Sequence, residues 1–435
     1  MKVTRFVLPF LSLGLCAVLT GCGSAQPAAD QPTDDTTSPS ASPTSDSQEV
    51  AAPAARLAYT YDGGIVVLDA NTLEQVADLP LSGFNRVNAA GDAGTVLVST
   101  EGGFRVLETG AFAQGHGDHY HYYAATPVLT DVIYPATTPG HVVVHDGQTL
   151  LFDDGTGQVT VFDSDDIAAG GQPVRQYTTP APHHGVAVPL EDQLAVTEGT
   201  AESRSGLRLL DANDQVVAES DECPNIHGEA VAANEAAVFG CADGALVLSD
   251  GKITKVTSPQ ADGRLSTLSG TEASPIVLGN YTTADAAFTA VALIDTVNLK
   301  ITLVDLPGDA TYSSHSLARG DDGSALVLAT DGSLYVIDPV TATITASYQL
   351  IDAWTPPADW QQPRPSLALL DGMAYITDTA HSQLLTVYPV TGQVWKTTAL
   401  THVPNEIAVV TGGPASDGHS HDDEDEHEES DEPTD

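Results

Sequence analysis

Cysteine, methionine and basic residues are scarce in this sequence. Of its 435 residues, four are Cys, two are Met and 15 are Lys or Arg. Cys16 and Cys22 lie near the start, so Cys223 and Cys241 are the two remaining cysteines in the body of the chain. These two form no CxxC motif and are too few for a zinc–thiolate site. Met373 is the one methionine after the start, which disfavours copper(I), because that ion prefers soft sulfur ligands.

Basic residues are far fewer than acidic residues. The 59 acidic residues give a formal net charge of −44. Such a chain repels phosphate, so nucleic acid is excluded as a partner, whereas cations are attracted. No hydrophobic run after the first 20 or so residues resembles a transmembrane helix.

The N-terminus reads as a bacterial lipoprotein signal. Lys2 and Arg5 precede an apolar run over residues 6–19, and Leu-Thr-Gly-Cys follows, with Cys22 as the residue that would be lipidated. We therefore expect a signal peptide over 1–21 and a Ser/Thr/Pro/Ala-rich disordered tether over 22–55. A plain secretory signal is the alternative. We predict a monomer on the outer face of the bacterial membrane, attached by its lipid alone. We also predict a disulfide between the two remaining cysteines.

From about residue 56 to 413 the sequence predicts an all-β fold. Short β-branched runs such as "GGIVVLDA", "GQVTVFD" and "GSLYVID" alternate with Asp-Gly turns. The runs recur every 40 to 50 residues, which is typical of a β-propeller. Eight units are favoured, seven remain open, and a pair of β-sandwiches is the alternative. The units begin at Arg86, His141, His184, His227, Ser266, His315, Ser366 and Glu406. The last strand would share a blade with the segment from Leu57 to Leu81, so that the chain termini close the ring.

Histidine occupies four of those eight starting positions. In a propeller the first strand of each blade lines the central channel, so His141, His184, His227 and His315 are expected at one height around it. A ring of imidazoles predicts a metal site; a merely polar channel lining is the competing interpretation. His183 would point to the opposite face of its strand.

A second group of histidines lies in "GHGDHYHYY", where His116, Asp118, His119 and His121 fall within six residues. His119 and His121 share a face if the segment is a strand. The segment either chelates metal by itself or covers the channel mouth, with His121 as a further ligand and His116 concerned with loading or release.

The C-terminal segment 414–435 combines acids with three histidines, namely His419, His421 and His427. We expect a disordered tail that collects divalent cations weakly or only solvates the chain. Imidazole with carboxylate and without thiolate favours zinc; nickel, cobalt and copper(II) remain open.

Four segments resemble the secreted zinc metallochaperones that serve Azt-type ABC zinc importers. They are "HGDHYHYY" (116–123), "PHHGVAV" (182–188), "CPNIHGEAV" (223–231) and "THVPNEIAV" (401–409). The resemblance implies a β-propeller that binds zinc through His121, His184 and His227, with His402 as a further candidate. It also implies transfer to the solute-binding protein of the importer, without catalysis. The chain departs from the family in its lipid anchor and in a His-rich segment at the C-terminus.

Two other functions compete with zinc chaperoning. One is a metal-assisted lactonase- or lyase-like propeller enzyme, although the sequence has no nucleophile elbow, HExxH motif or phosphate loop. The other is a non-catalytic surface scaffold whose histidines are incidental.

Overall fold

A computed structural model describes residues 46–283, 287–320 and 322–415. Within these ranges the chain forms 35 β-strands and one short 3₁₀-helix, Ser164–Asp166, and no α-helix. The strands make eight four-stranded antiparallel sheets and one three-stranded sheet. No helix in this part of the chain is long and apolar enough to cross a membrane.

The first four sheets are bounded as follows. One contains β2 (Arg56–Tyr61), β3 (Gly64–Asp69), β4 (Gln75–Pro80) and the final strand β35 (Ile407–Val410). The next contains β5 (Arg86–Ala89), β6 (Thr95–Thr100), β7 (Gly103–Glu108) and β10 (Val128–Pro135). The third contains β11 (Pro139–His145), β12 (Gln148–Asp153), β13 (Gln158–Asp163) and β14 (Arg175–Thr178). The fourth contains β15 (Ala187–Leu190), β16 (Gln193–Gly199), β17 (Arg204–Leu210) and β18 (Val216–Ser220).

The other four follow in chain order. They are β19 (His227–Ala232), β20 (Ala236–Cys241), β21 (Gly244–Ser249) and β22 (Lys252–Thr257); then β23 (Leu268–Ser269), β24 (Ile276–Tyr281), β25 (Ala290–Asp295) and β26 (Lys300–Asp305). Next come β27 (Leu317–Arg319), β28 (Ala325–Leu328), β29 (Ser333–Asp338) and β30 (Thr343–Gln349). The last are β31 (Leu367–Leu370), β32 (Met373–Asp378), β33 (Gln383–Tyr388) and β34 (Gln393–Ala399). The three-stranded sheet is β1 (Gln48–Val50), β9 (His119–Ala124) and β8 (Ala111–His116).

Asp-Gly dipeptides make tight hairpins between several of these strands. At 146–147, 250–251 and 371–372 both residues have positive φ, which is the backbone of a type I′ turn. Glycine adopts that conformation freely and aspartate tolerates it. The hairpin turns predicted from sequence at these three sites are therefore present.

The hydrophobic core lies between neighbouring sheets. Its largest cluster joins aliphatic and aromatic side chains of strands β12 and β13, β15 to β17, and β20 and β21. Phe152 and Phe239 are fully buried there. Further clusters fill the spaces between the other sheets, so each sheet is stabilised mainly by the sheets on either side of it.

The all-β propeller class predicted from sequence is confirmed. The first strand of each sheet begins within three residues of the starting position predicted for its unit. Neighbouring first strands contact one another, as β31 does with β35 and β35 with β5. β35 pairs with β2, from Arg56 opposite Val410 to Tyr59 opposite Ile407, so strands from both ends of the domain share a sheet. Eight blades stay a prediction, which the eight four-stranded sheets support.

The structure differs from the C-terminal end of the predicted tether, where Ala55 is buried in a core cluster and a short strand forms. Residues 48–50, placed in the disordered segment 22–55, form β1 and pair with β9. Their composition is polar, but the edge of β9 offers unpaired backbone groups, which short-range sequence patterns do not reveal. The signal peptide, Cys22 and the tail residues His419, His421 and His427 lie outside the described residues.

Candidate metal centres

Three histidines from three consecutive sheets converge on one point, and we call them the channel cluster. His141 lies in β11, His184 lies just before β15, and His227 opens β19. One ring nitrogen from each lies within 4.8 Å of the others. All three side chains are partly buried. The ring centroids are 4.9 to 5.5 Å apart.

Hydrogen bonds at the outer nitrogens orient two of these rings. His184 Nδ1 donates to Asp154 Oδ2 at 2.5 Å, and His227 Nδ1 donates to the main-chain oxygen of Ser266 at 2.7 Å. Both acceptors lack a proton to give, so in the neutral rings each Nε2 carries a lone pair. The two Nε2 atoms face each other at 2.9 Å. Two lone pairs at that distance repel unless a cation lies between them.

The spacing is close to what a metal requires. Two imidazole nitrogens bound to one tetrahedral zinc ion at 2.0–2.1 Å are about 3.3 Å apart. The Nε2 atoms of His184 and His227 would therefore need to move apart by only a few tenths of an ångström. The carboxylate and carbonyl behind the rings match the outer partners that metal-binding histidines ordinarily have.

Burial disfavours the protonated form of two of these imidazoles, those of His141 and His227. It lowers the pKa of His227 to about 4; the bond to Ser266 opposes this shift, and smaller contributions from His184 and nearby arginines add to it. The pKa of His141 is lowered well below its usual value by burial, and then by the neighbouring histidines and arginines. A proton is thus disfavoured on His141 and His227 at neutral pH, which leaves their nitrogens available to a metal.

Glu229 is the carboxylate nearest to His141. Its Oε2 lies 3.6 Å from His141 Nδ1. Burial raises the pKa of Glu229 to about 8, against the opposing effects of its own backbone bond and of Arg86. A bound dication would favour the ionised carboxylate. Glu229 is not one of the three residues whose donor atoms gather within 4.8 Å.

A glycine follows His184 and another follows His227, and close packing accounts for both. Gly228 has φ of +72°, and a Cβ there would come within 2.4 Å of the Ser266 oxygen that accepts from His227. A Cβ on Gly185 would come within 2.4 Å of the Phe152 ring. Each glycine therefore lets the histidine before it sit against its neighbours.

The predicted disulfide is confirmed. Cys223 and Cys241 are bonded, and both residues are fully buried. Cys241 ends β20, the strand that pairs with β19, and Cys223 lies four residues before His227. The bridge therefore ties the segment that leads into His227 to the adjacent strand.

The second group, which we call the hairpin cluster, is formed by His116, His119 and His121. These residues lie at the end of the β8–β9 hairpin, around a turn in which Gly117 has φ of 65°. One ring nitrogen from each lies within 4.8 Å of the others. The His119 and His121 side chains are 54% and 36% exposed, so solvent reaches this cluster.

The hairpin cluster repeats the hydrogen-bond pattern of the channel cluster. His119 Nδ1 donates to Asp118 Oδ1 at 3.2 Å, and His121 Nδ1 donates to Glu49 Oε1 at 2.7 Å. The Nε2 atoms of His119 and His121 then face each other at 3.2 Å. The structure therefore favours local chelation and places His121 in a different group from His184 and His227.

The remaining predicted ligands lie apart from both clusters. His402 stacks on Tyr61, with ring centroids 3.7 Å apart, and its Nε2 lies 3.2 Å from Asp78. His315 Nε2 lies 3.6 Å from Glu406, which Arg364 also contacts at 3.3 Å. His183 is buried, and its ring bonds to the Ala181 oxygen and to Thr197.

Three contacts to the histidine rings are not predictable from the sequence: Asp154, Glu49 and the carbonyl of Ser266. Asp154 belongs to an Asp-Gly dipeptide that signals only a turn, and Glu49 falls in the predicted tether. Every residue has a main-chain carbonyl, so the residue type does not show which carbonyl accepts from a histidine. No local pattern could have paired these groups with histidines 30 to 72 positions away.

Fold and site together define a β-propeller with two histidine groups suited to a divalent metal. No protein-family model matches the chain. It is 25% identical over 375 residues to the zinc chaperone AztD of Citrobacter koseri, covering 83% of this chain and 87% of that protein. The structure of apo AztD from Citrobacter koseri is similar, with a TM-score of 0.71 and 22% identity over 82% of this chain and 98% of that chain. A crystal structure of the same protein matches with a TM-score of 0.71 and 23% identity. The resemblance to zinc metallochaperones seen in the sequence motifs is confirmed.

Proposed function

We propose that this protein is a zinc chaperone, which holds zinc in the channel cluster and passes it to another protein. The observation that carries the proposal is the opposition of His184 Nε2 and His227 Nε2 at 2.9 Å. Each ring is held in the metal-binding tautomer by its partner at Nδ1. His141 would complete a set of three ligands.

Zinc is the proposed metal for two reasons. A set of imidazoles without thiolate suits zinc, whereas calcium and magnesium prefer oxygen ligands. The similar protein from Citrobacter koseri is a zinc chaperone. Nickel, cobalt and copper(II) accept the same ligand type, so the choice among these metals comes from the relative.

Three histidines leave a fourth coordination position of tetrahedral zinc for another ligand. In a transfer protein that position suits an incoming ligand from the recipient, because zinc can then change partners without release into solvent. We propose no catalytic step, and the protein would act as a binding protein.

The hairpin cluster is proposed as a second, more accessible zinc site. Its imidazoles have the same outer partners and opposed Nε2 atoms as the channel cluster, but they are substantially exposed. The exposure of the hairpin cluster suits loading or release of zinc, whereas the partial burial of the channel cluster suits its retention. His315 and His402 are left out of both sites because each contacts a carboxylate elsewhere.

The recipient and the location follow from the resemblance and from the N-terminal motif. The proposed recipient is the solute-binding protein of an ABC zinc importer. The protein itself would be a monomer outside the cytoplasm, attached to the membrane through lipidated Cys22. The disulfide Cys223–Cys241 supports an oxidising compartment.

Zinc titration with a competing chelator tests the proposal. Replacing His184 or His227 by Ala should lower the affinity of the tightest site at least 100-fold, since each removes one of three ligands. His381→Ala is the matched control, because His381 is exposed and belongs to neither cluster. Wild-type affinity in both cluster variants would refute the assignment.

A further inference from the structure

The short N-terminal strand β1 contacts the hairpin cluster. Among the strands of the described residues, β1 pairs only with β9, with Gln48 opposite Ala124, Glu49 opposite Tyr123 and Val50 opposite Tyr122. Glu49 extends from this strand to His121, where its Oε1 accepts from Nδ1 at 2.7 Å. The ligand candidate and its carboxylate partner thus lie 72 positions apart in the chain.

β1 is held by few contacts. It has three residues, of which Gln48 and Glu49 are exposed and Val50 is partly buried. None of them belongs to a core cluster of the described residues. A few backbone hydrogen bonds must offset the entropy of ordering the segment, so a single added interaction can shift its docking.

A metal in the hairpin cluster would add such an interaction. When a cation binds His121 Nε2, the ring gives up electron density and its Nδ1–H becomes a stronger donor. The acceptor is a carboxylate, which forms the stronger kind of hydrogen bond. Binding of the metal and docking of β1 then favour the same arrangement of His121.

We propose that zinc binding by the hairpin cluster and docking of β1 are coupled through Glu49, which acts as a positioning residue for His121. The inference rests on the proposed function of the hairpin cluster. Zinc would tie the N-terminal segment to the hairpin, and undocking of β1 would weaken the site. A strand from another protein that replaced β1 on the edge of β9 would remove Glu49 and so promote release.

Hydrogen exchange measured by mass spectrometry tests the coupling in the full chain. The double variant His184→Ala/His227→Ala lacks the channel cluster, so that zinc binding there does not obscure the hairpin cluster. The protein with the channel cluster intact is measured in the same way. Peptides over 46–55 report on β1, and peptides over 111–124 report on the hairpin. Zinc should slow exchange in both, by about tenfold at β1, the lower end of the usual effect of an outer carboxylate on metal affinity.

Glu49→Gln separates coupling from folding. It should abolish most of the zinc-dependent protection of β1 and weaken zinc binding at the hairpin by the same factor, because coupling between two equilibria is reciprocal. Gln48→Ala, one residue away on the same strand, is the matched control and should retain both effects.

Two results would overturn the proposal in different ways. If zinc protects 111–124 but leaves 46–55 unchanged, the hairpin site exists and the coupling is absent. If zinc protects neither peptide, and His119→Ala and His121→Ala do not change zinc binding, the hairpin cluster itself is not a zinc site.

Discussion

Replacing Asp154 by Asn should lower the zinc affinity of the channel cluster by about 10- to 100-fold, the usual effect of removing an outer carboxylate. Asp154 accepts from His184 Nδ1 at 2.5 Å, and its side chain is only 15% exposed. Asparagine has the same shape but no charge. If its amide nitrogen faces the ring, His184 must accept at Nδ1 and carry its proton on Nε2, where it blocks the metal.

The magnitude follows from the type of contact. A loss of 10- to 100-fold in affinity corresponds to about 1.4 to 2.7 kcal/mol. That range matches the net value of a hydrogen bond to a charged group, about 1.5 to 3 kcal/mol. Complete loss of binding is not expected, since His141 and His227 remain in place.

Chelator competition at pH 7.5 measures this change, and thermal unfolding checks that the variant is folded. Asp378→Asn is the matched control: Asp378 accepts from His381 Nδ1 at 2.7 Å, outside both clusters. It should leave zinc affinity unchanged. An affinity for Asp154→Asn within twofold of wild type would show that the orientation of His184 does not depend on this carboxylate.

Three further predictions concern pH and the disulfide. Burial holds the pKa of His227 at about 4 and that of His141 well below its usual value, so protonation of these two ligands should lower zinc affinity less than about tenfold between pH 7.5 and 5.5. Two imidazoles with ordinary pKa values would cost about 100-fold. The lowered pKa values of His141 and His227 favour unfolding of the metal-free protein as pH drops from about 6.5 towards 4, since the unfolded chain then binds protons that the buried rings do not, whereas the raised pKa of Glu229 has the opposite effect; a pH dependence of the denaturation midpoint unchanged by His227→Ala would contradict the histidine effect. Replacing Cys223 and Cys241 by Ser should lower the free energy of unfolding by about 3 kcal/mol, as their separation of 18 residues closes a loop of moderate length. Denaturant unfolding measures this loss, and an unchanged midpoint would show that the bridge is not needed for stability.

Much of the fold could be predicted from the sequence because its signals are local. The type I′ turns at Asp146, Asp250 and Asp371 depend on the conformational freedom of two adjacent residues. The recurrence of short β-branched runs every 40 to 50 residues predicts stacked sheets, and the first strands begin within three residues of where that repeat places them. The same repeat predicts His141, His184 and His227 at one height of the channel, and their ring nitrogens lie within 4.8 Å of one another.

The sequence could not determine which histidines meet. His315 shares the starting position of the other three but lies beside Glu406, because it belongs to a sheet farther around the ring. The resemblance to zinc metallochaperones groups His121 with His184 and His227, whereas its hairpin forms a separate sheet with β1. Whether two histidines on different sheets come close together depends on which sheets are neighbours, and the length of a sequence repeat does not determine that.

The sequence by itself determined the all-β repeat, the disulfide pair and the type of ligand, since turn chemistry, cysteine count and histidine spacing are properties of short segments. Only the tertiary structure decided the two histidine groups and their outer hydrogen-bond partners. Asp154, Ser266 and Glu49 reach the rings across 30, 39 and 72 positions of chain, so packing brings them together and adjacency in the sequence does not. These contacts select the tautomer of each ring, and the tautomer decides whether an imidazole can bind a metal.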